Sequence, residues 1–133
     1  MPGRPNLFRP RNIIAPKPRI NGRKSARERG YSARWDKEAR AYKFRHPLCI
    51  GCAALGLINA AQVVDHIIPH CGSAQLFWDR NNWQSSCAWH HDKVKQELER
   101  GYERGQIATS SLRLDGPQAV VLARTLIEAG EGP

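Results

Sequence analysis

Four residues near the middle of the chain have the types and spacing of metal ligands. They form two pairs, C-x-x-C and C-x-x-H, separated by a few tens of residues: Cys49, Cys52, Cys87 and His90. Four nitrogen and sulfur ligands in this arrangement are typical of a structural zinc site, in which they close a tetrahedron. Gly51 and the pair Ser85-Ser86 are small enough to permit the tight turn and the helix start that such pairs need. We call these four ligands the metal quartet.

Disulfide bonds are the alternative use of these cysteines. The chain starts with no apolar leader segment, so secretion into an oxidising compartment is not indicated, and we favour zinc. The fourth cysteine, Cys71, has no second ligand at the spacing of a C-x-x-C pair. It is predicted to be a free thiol or a small packed side chain, and it is left out of the metal quartet.

A second group of polar residues begins inside an apolar run. Asp65 and His66 lie within Val63-Val64-Asp65-His66-Ile67-Ile68, which Pro69 ends. A buried strand does not ordinarily carry two adjacent titratable groups, because burying them unpaired is costly. The simplest alternative is that both are hydrogen-bonded to backbone at a strand end. The presence of Asn82 and His91 downstream favours a functional site instead.

These residue types together suit phosphodiester cleavage. A carboxylate and an imidazole that bind one divalent ion leave open positions for phosphate oxygens and water. Asp65 and His91 suit that role, and His66, not bound to the ion, can take the proton from the attacking water. Adjacent residues of a regular strand point to opposite faces, so we expect an irregular or strongly twisted strand end at Asp65 and His66.

Three helices are predicted around these residues. The first, from Ser32 to Arg45, has an apolar stripe formed by Trp35, Ala39 and Tyr42. The second, from about Cys87 to Arg100, places four residues on one face: Cys87, His91, Val94 and Leu98. A third, short and amphipathic, is predicted over residues 117–129. The sequence leaves open whether it packs on the domain or contacts a partner.

Positive charge is concentrated at the amino terminus. The formal net charge of the 133-residue chain is +9. Residues 1–48 contain fourteen Lys and Arg against three Asp and Glu, a net charge of +11, and the remainder contains seven against nine, a net charge of −2. Residues 1–30, rich in Pro, Arg and Gly, are predicted to be a largely disordered arm.

A basic arm of this kind suits sequence-independent binding of phosphates, and a merely solubilising tail is the alternative. The predicted nucleic-acid-binding residues are in the arm and at the start of the first helix: Arg23, Lys24, Arg27, Arg29, Arg34 and Lys37.

The stretch from about Tyr31 to Gly101 resembles phage-type HNH endonucleases of the His-Me finger, or ββα-metal, group. It covers a little over half of the chain, and several spaced motifs occur in the family's order: Arg45-His46-Pro47-Leu48-Cys49-x-x-Cys52, Val63-Val64-Asp65-His66-Ile67-Ile68-Pro69-His70, Leu76-Phe77-Trp78-Asp79, Asn81-Asn82-Trp83-Gln84-Ser85 and Cys87-x-x-His90-His91-Asp92.

The resemblance implies a role for each matching residue. His66 would be the general base, Asp65 a ligand of the catalytic ion, Asn82 the middle residue of the family's three-letter name and His91 the last. In the family the asparagine either braces the loop that presents the base or joins the metal shell. Members usually carry C-x-x-C before the final histidine, whereas this chain has His90 at the second cysteine position. Imidazole is an acceptable zinc ligand, so a site of three cysteines and one histidine is expected.

The expected fold is α+β: a small zinc-stapled ββα-metal domain over residues 31–105, with flanking helices, the basic arm at 1–30 and a C-terminal extension at 106–133. The resemblance implies a DNA endonuclease that uses one catalytic divalent ion, Mg²⁺, Mn²⁺ or another, beside the structural Zn²⁺. It also implies products with 5′-phosphate and 3′-hydroxyl ends and a role beside phage terminase subunits.

No run approaches the ~18 apolar residues that span a membrane, so we expect a cytoplasmic protein, in the host cell if it is phage-encoded. Two other functions compete with the endonuclease. One is a non-catalytic zinc module that binds nucleic acid through the arm. The other is a protein-interaction zinc knuckle, which would not need so basic an arm.

Overall fold

Helices pack on a two-stranded antiparallel sheet in this small mixed fold. In the computed structural model, which describes residues 29–133, strand β1 (Val63–His66) pairs with strand β2 (Trp83–Ser86). The register is regular along the whole pair, from Val63 opposite Ser86 to His66 opposite Trp83. Nearly all of the predicted arm, including Arg23, Lys24 and Arg27, lies outside the described residues.

Across residues 29–133, five α-helices accompany this sheet: α1 (Ala33–Arg45), α2 (Ile50–Ala54), α3 (Ala74–Trp78), α4 (Gln96–Glu103) and α5 (Pro117–Glu128). Short 3-10 turns occur at Arg80–Asn82 and Thr109–Ser111, and a π-helical segment, His90–Lys95, leads directly into α4. Within residues 29–133, no helix is long and apolar enough to cross a membrane. The predicted mixture of helices and strands is therefore confirmed at this level.

Local capping explains where the helices begin. The Ser32 hydroxyl accepts a hydrogen bond from the Trp35 backbone N–H at 3.5 Å, and Ser73 caps α3 in the same way through Leu76 at 3.3 Å. Helix α5 begins with Pro117, whose missing N–H costs nothing in the first turn. The predicted helices at 32–45 and 117–129 are confirmed to within one residue.

An aromatic cluster joins α1 to the sheet and to α3. Trp35, Val64, Phe77 and Trp83 are buried together, with Tyr42 packed against them. The Tyr42 hydroxyl donates a hydrogen bond to the Trp83 carbonyl at 3.1 Å. The predicted apolar stripe of α1 is therefore the face that packs on β1 and β2.

A second core joins the π-helical segment and α4 to the residues after position 105. Val94 and Leu98 are buried with four residues from beyond position 105: Leu112, Leu114, Ala119 and Ala123. Full burial of a leucine side chain contributes about 1.5–3 kcal/mol. Helix α5 therefore packs on the rest of the fold, which the sequence had left open.

The predicted helix from Cys87 to Arg100 needs one correction. Its turns over His90–Lys95 are π-helical, which inserts an extra residue into the helical repeat. Val94 and Leu98 are buried as expected, but Lys95 is buried too, with 1% of its surface exposed. The π-helical segment thus turns a charged side chain toward the sheet.

Candidate functional site

The metal quartet is assembled from two helix starts. Its four ligand atoms lie within 4.8 Å of one another, and all four residues are buried. The Cys49 Sγ caps α2 by accepting a hydrogen bond from the Cys52 N–H at 3.4 Å. The Cys87 Sγ accepts one from the His90 N–H, also at 3.4 Å. Each pair therefore presents its ligands through a tight turn, as the spacing predicted.

The distances within the quartet are those of a tetrahedral ion site. The Sγ atoms of Cys52 and Cys87 are 3.8 Å apart, and the His90 Nδ1 lies 3.4 Å from each of them and 3.5 Å from the Cys49 Sγ. Bonds of about 2.3 Å to sulfur and about 2.05 Å to nitrogen give tetrahedral edges of about 3.8 Å and about 3.6 Å. The quartet can therefore bind a metal ion such as zinc. Cys71 is exposed and lies outside it, as predicted.

The three buried thiols differ in how readily they ionise. Burial raises the pKa of Cys52 to about 12 and raises the pKa of Cys87 as well. Burial acts in the same direction on Cys49, but hydrogen bonds with His90 and with backbone N–H groups bring its pKa down to about 6. Alone, the site therefore favours one thiolate, and a metal ion at its centre would stabilise all three.

The His90 ring is packed against a glycine. A Cβ placed on Gly51 would lie 2.2 Å from the His90 Cδ2 and 2.5 Å from its Nε2. That Nε2 is buried and has no hydrogen-bond partner among residues 29–133. Gly51 was predicted as a turn residue, but the structure gives it a more specific role, since only a residue without a side chain leaves room for the ring.

A second pair of ligand atoms faces each other at the start of the π-helical segment. The His91 Nε2 lies 3.8 Å from the Asp65 Oδ1. The His91 Nδ1 lies 2.9 Å from the Asp92 Oδ1, and a carboxylate oxygen can only accept, so in the neutral ring Nδ1 carries the proton. Nε2 then presents a lone pair to the Asp65 oxygen. Two acceptors in this position can share a cation, because twice a typical metal–ligand distance of about 2.1 Å exceeds their separation.

The Asp65 carboxylate is fixed through its other oxygen. Oδ2 accepts a hydrogen bond from Gln84 Nε2 at 2.9 Å and forms an ion pair with Lys95 Nζ at 3.0 Å. Lys95 also donates to the His66 carbonyl at 2.8 Å and to Glu99 Oε1 at 2.6 Å. Oδ1 is therefore the oxygen left for His91 and for a ligand. Our sequence reasoning missed Gln84 and Lys95. The direct cross-strand position of Gln84 opposite Asp65 is a signal that could have found the first.

His66 occupies different surroundings from Asp65. Its Nε2 donates to the Phe77 carbonyl at 2.9 Å, and its ring stacks on Trp35 with centroids 4.9 Å apart. Because a carbonyl only accepts, the proton is on Nε2 and Nδ1 is the basic nitrogen. Burial lowers the pKa of His66, so the imidazole is neutral at pH 7.

The expected irregular strand end at Asp65 and His66 is not found. Strand β1 pairs regularly through both residues. Within the part of the chain that the structure describes, no hydrogen bond, ion pair or ring contact joins the His66 side chain to the Asp65 carboxylate or to His91. The two side chains point to opposite faces of β1, which is the ordinary geometry of a strand.

Asn82 holds two loops together. Its Oδ1 accepts from the Ile68 N–H at 2.8 Å, and its Nδ2 donates to the carbonyls of Ile68 at 3.0 Å and Leu76 at 3.1 Å. Leu76 directly precedes Phe77, whose carbonyl holds His66. The resemblance left two roles open for Asn82, bracing a loop or joining the metal shell. The hydrogen bonds of Asn82 in the structure are those of a residue that braces a loop.

The predicted phosphate-binding residues that the structure describes lie near aromatic rings or in solvent. The Arg34 guanidinium lies 4.1 Å from the centroid of the Trp78 ring, and that of Arg29 lies 5.4 Å from the Tyr31 ring. Lys37 is exposed on α1. Stacking on an aromatic ring leaves the edge of a guanidinium available for hydrogen bonds, so these contacts are compatible with phosphate binding.

Comparison of the chain with protein-family models, with curated proteins and with solved structures finds no match. Function is therefore inferred from the geometry above and from the motifs of the sequence.

Proposed function

We propose that the chain is a metal-dependent DNA endonuclease of the HNH type. The observation that carries the proposal is the pair of facing acceptors, Asp65 Oδ1 and His91 Nε2, held 3.8 Å apart with the other Asp65 oxygen engaged by Lys95 and Gln84. A neutral, buried His66 follows Asp65 on the same strand. The family motifs assign ion binding and proton transfer to the same residues.

Side chains on the two faces of β1 can meet one phosphate only beyond the His66 end of the strand, so the scissile phosphate would lie there. A divalent ion bound by Asp65 and His91 would polarise the scissile phosphate and offset negative charge on the leaving 3′ oxygen. Nδ1 of His66 takes the proton from the attacking water, while the Phe77 carbonyl keeps the other ring nitrogen protonated. Attacking and leaving oxygens lie on opposite sides of phosphorus. The base and the ion ligands therefore need to flank the phosphate, not to contact each other.

The metal quartet has a different role in this proposal. Four protein ligands close a tetrahedron and leave no position for water or substrate, so the ion, which we propose to be Zn²⁺, is structural. The open site at Asp65 and His91 offers a carboxylate oxygen and an imidazole, which suits Mg²⁺, Mn²⁺ or a similar ion with additional water ligands. The products would carry 5′-phosphate and 3′-hydroxyl ends. Phage terminase subunits, as partners in DNA packaging, are part of the same proposal.

Cleavage of supercoiled plasmid tests the proposal directly. The purified full-length chain should convert the plasmid when Mg²⁺ or Mn²⁺ is added and should fail without a divalent ion. His66→Ala should abolish cleavage and preserve zinc content, because the ring is not a quartet ligand. His70→Ala is the matched control, since His70 borders the same aromatic cluster and hydrogen-bonds to the Tyr31 hydroxyl at 3.2 Å. Full activity of His66→Ala would refute the assignment of the base.

A non-catalytic, zinc-containing nucleic-acid-binding module is the second candidate. The ion pair between Asp65 and the buried Lys95 favours it, since a carboxylate with a lysine partner already has a structural use. In that case the chain would bind DNA but leave plasmid intact with every divalent ion tried. Asp65→Asn would then change stability and leave DNA affinity unaltered.

A further inference from the structure

Three arginines from separate segments line one groove. Arg45 comes from the end of α1, Arg80 from the 3-10 turn after α3, and Arg113 from the segment before α5. The cavity has a volume of about 370 Å³, and His46, Tyr42 and Asn81 are also in its lining. We call it the basic groove. None of its lining residues was among the nucleic-acid-binding residues predicted from the sequence.

A neighbouring cavity lies between the basic groove and residues close to the proposed base in the chain. This second cavity, of about 300 Å³, shares Asn81 and Arg113 with the basic groove. This second cavity is lined further along by Ile67, which directly follows His66, and by Asn82, which braces the loop that holds His66. The two cavities are therefore neighbours, and the second borders the chain segment that directly follows the proposed base.

The arginines retain donors for a ligand. Within residues 29–133, Arg45 makes no hydrogen bond or ion pair, and its side chain is exposed. Arg80 uses one terminal nitrogen on Glu38, at 3.0 Å. Arg113 uses Nε and one terminal nitrogen on Asp115, at 2.9 and 3.0 Å. Each of these two keeps at least one further nitrogen.

The lining has the sign and the chemistry of a phosphate site. Among the described residues 29–133, no acidic residue lines either cavity, whereas three guanidinium groups do. Both Arg45 and Arg113 lie close enough to Tyr42 to act electrostatically on its hydroxyl, so their charges converge on the same space. A guanidinium group matches phosphate oxygens with two parallel N–H bonds. The neutral donors Asn81, Thr109 and Ser110 are of the kind that contact phosphate and sugar along a strand.

We propose that the basic groove binds successive phosphate groups of a polynucleotide strand and guides that strand to the segment around His66. That the strand is DNA rests on the proposed function, whereas the affinity of the groove for a polynucleotide can be measured without cleavage. Three separated cations in one groove, with a neighbouring cavity that shares Arg113, suit several phosphates in a row better than one small anion. The folded domain thereby contributes phosphate contacts beyond those proposed for the amino-terminal arm.

Salt-dependent binding tests the groove. The full-length chain, with no divalent ion added, is titrated onto a short fluorescent DNA duplex across a series of salt concentrations. Loss of one phosphate contact removes about 0.9 from the slope of log affinity against log salt. If affinities converge near 1 M salt, this corresponds to about fivefold weaker binding at 0.15 M. Arg45→Gln and Arg113→Gln should each show that change.

The matched control is Arg100→Gln. Arg100 is an exposed, ion-paired arginine like Arg113, bonded to Glu97 at 2.9 Å, and it lines neither cavity. Its substitution should leave affinity and slope unchanged. Zinc content and thermal unfolding of the three variants should match the original chain, because none of the arginines is buried. Unchanged binding by Arg45→Gln and Arg113→Gln would overturn the proposal.

Competition experiments separate the groove from other anion sites. Inorganic phosphate, or an aspartate- and glutamate-rich peptide at equal charge, should displace DNA far less effectively than unlabelled DNA does. Equal displacement by either would overturn a polynucleotide site. Cleavage is measured separately on plasmid. If the arginine substitutions weaken DNA binding but the chain cleaves no plasmid, the endonuclease proposal is refuted and the groove proposal stands. If the chain cleaves plasmid but the substitutions leave binding unchanged, the groove proposal is refuted and the endonuclease proposal stands.

Discussion

Replacing Gly51 with alanine sets two physical effects against each other. Gly51 lies inside helix α2, where alanine is favoured over glycine by about 1 kcal/mol. The new Cβ, however, would lie 2.2 Å from the His90 Cδ2. Non-bonded carbon atoms rest at about 3.5–4.0 Å, so the ring has to retreat by more than about 1 Å. Zinc–ligand bonds tolerate deviations of only about 0.2 Å.

We expect the free energy lost at the metal site to exceed the free energy gained in helix propensity. A structural zinc site contributes about 10–16 kcal/mol of apparent binding free energy, so loss of one ligand in four costs about 3 kcal/mol. That corresponds to roughly hundredfold weaker retention of the ion. It also exceeds the gain in helix propensity. Gly51→Ala should therefore weaken the metal site and destabilise the fold, although helix propensity alone predicts the opposite sign.

Zinc release to a colorimetric chelator, followed together with thermal unfolding, measures this effect. Gly51→Ala should release its ion at roughly hundredfold lower chelator concentration. Gly101→Ala is the control: it is also a helical glycine with a close neighbour, but that neighbour is the flexible Ile107 side chain, at 2.5 Å. Adding His90→Cys to Gly51→Ala should restore retention, because a thiol has no ring to displace. Unaltered retention in Gly51→Ala would refute the packing argument.

Three further perturbations probe the proposed sites. Cys87→Ser should lower the free energy of unfolding, followed by circular dichroism, by about 3 kcal/mol or more, because it removes one ligand in four from a zinc contribution that is comparable to the whole stability of a small domain. Lys95→Met should lower the free energy of unfolding in urea by about 3 kcal/mol, since it leaves the Asp65 carboxylate without its buried partner, whereas the exposed Lys93→Met should change little. Burial lowers the pKa of His66 below 6.5, so this base stays neutral to lower pH than a free imidazole does. The cleavage rate should therefore fall on the acid side only below pH 6.5. A fall that begins above that pH would contradict the assignment of His66 as the base.

The metal quartet was predictable because its information is local. C-x-x-C and C-x-x-H spacing fixes which atoms a single turn can present, and only the meeting of two turns depends on the fold. Cys71 was correctly set apart for the same reason. The close packing of the His90 ring against Gly51 was not predictable. It brings the middle of the C-x-x-C pair against a ligand of the C-x-x-H pair, 39 positions away in the sequence.

Lys95 shows where periodicity fails. An α-helical repeat over 87–100 places Cys87, His91, Val94 and Leu98 on one face and Lys95 beside it, on the edge. The π-helical segment at His90–Lys95 inserts one residue and turns the lysine inward. Nothing in residue composition marks such an insertion. Its stabilisation comes from the contacts that Lys95 makes with the Asp65 carboxylate and the His66 carbonyl, which exist only after the helix has packed on the sheet.

The sequence was least informative about the segment before α5, although this segment connects the second core, the support of Asp65 and the basic groove. Leu112 and Leu114 are fully buried, and the residue between them, Arg113, is exposed in the basic groove. The Leu114 N–H donates to Gln84 Oε1 at 3.0 Å, and the Gln84 Nε2 holds Asp65. This short segment thereby orients a proposed metal ligand through Leu114 and presents a proposed phosphate contact through the neighbouring Arg113. The stretch that resembles HNH endonucleases ends near Gly101, so the residues after it supply support that this stretch does not itself contain.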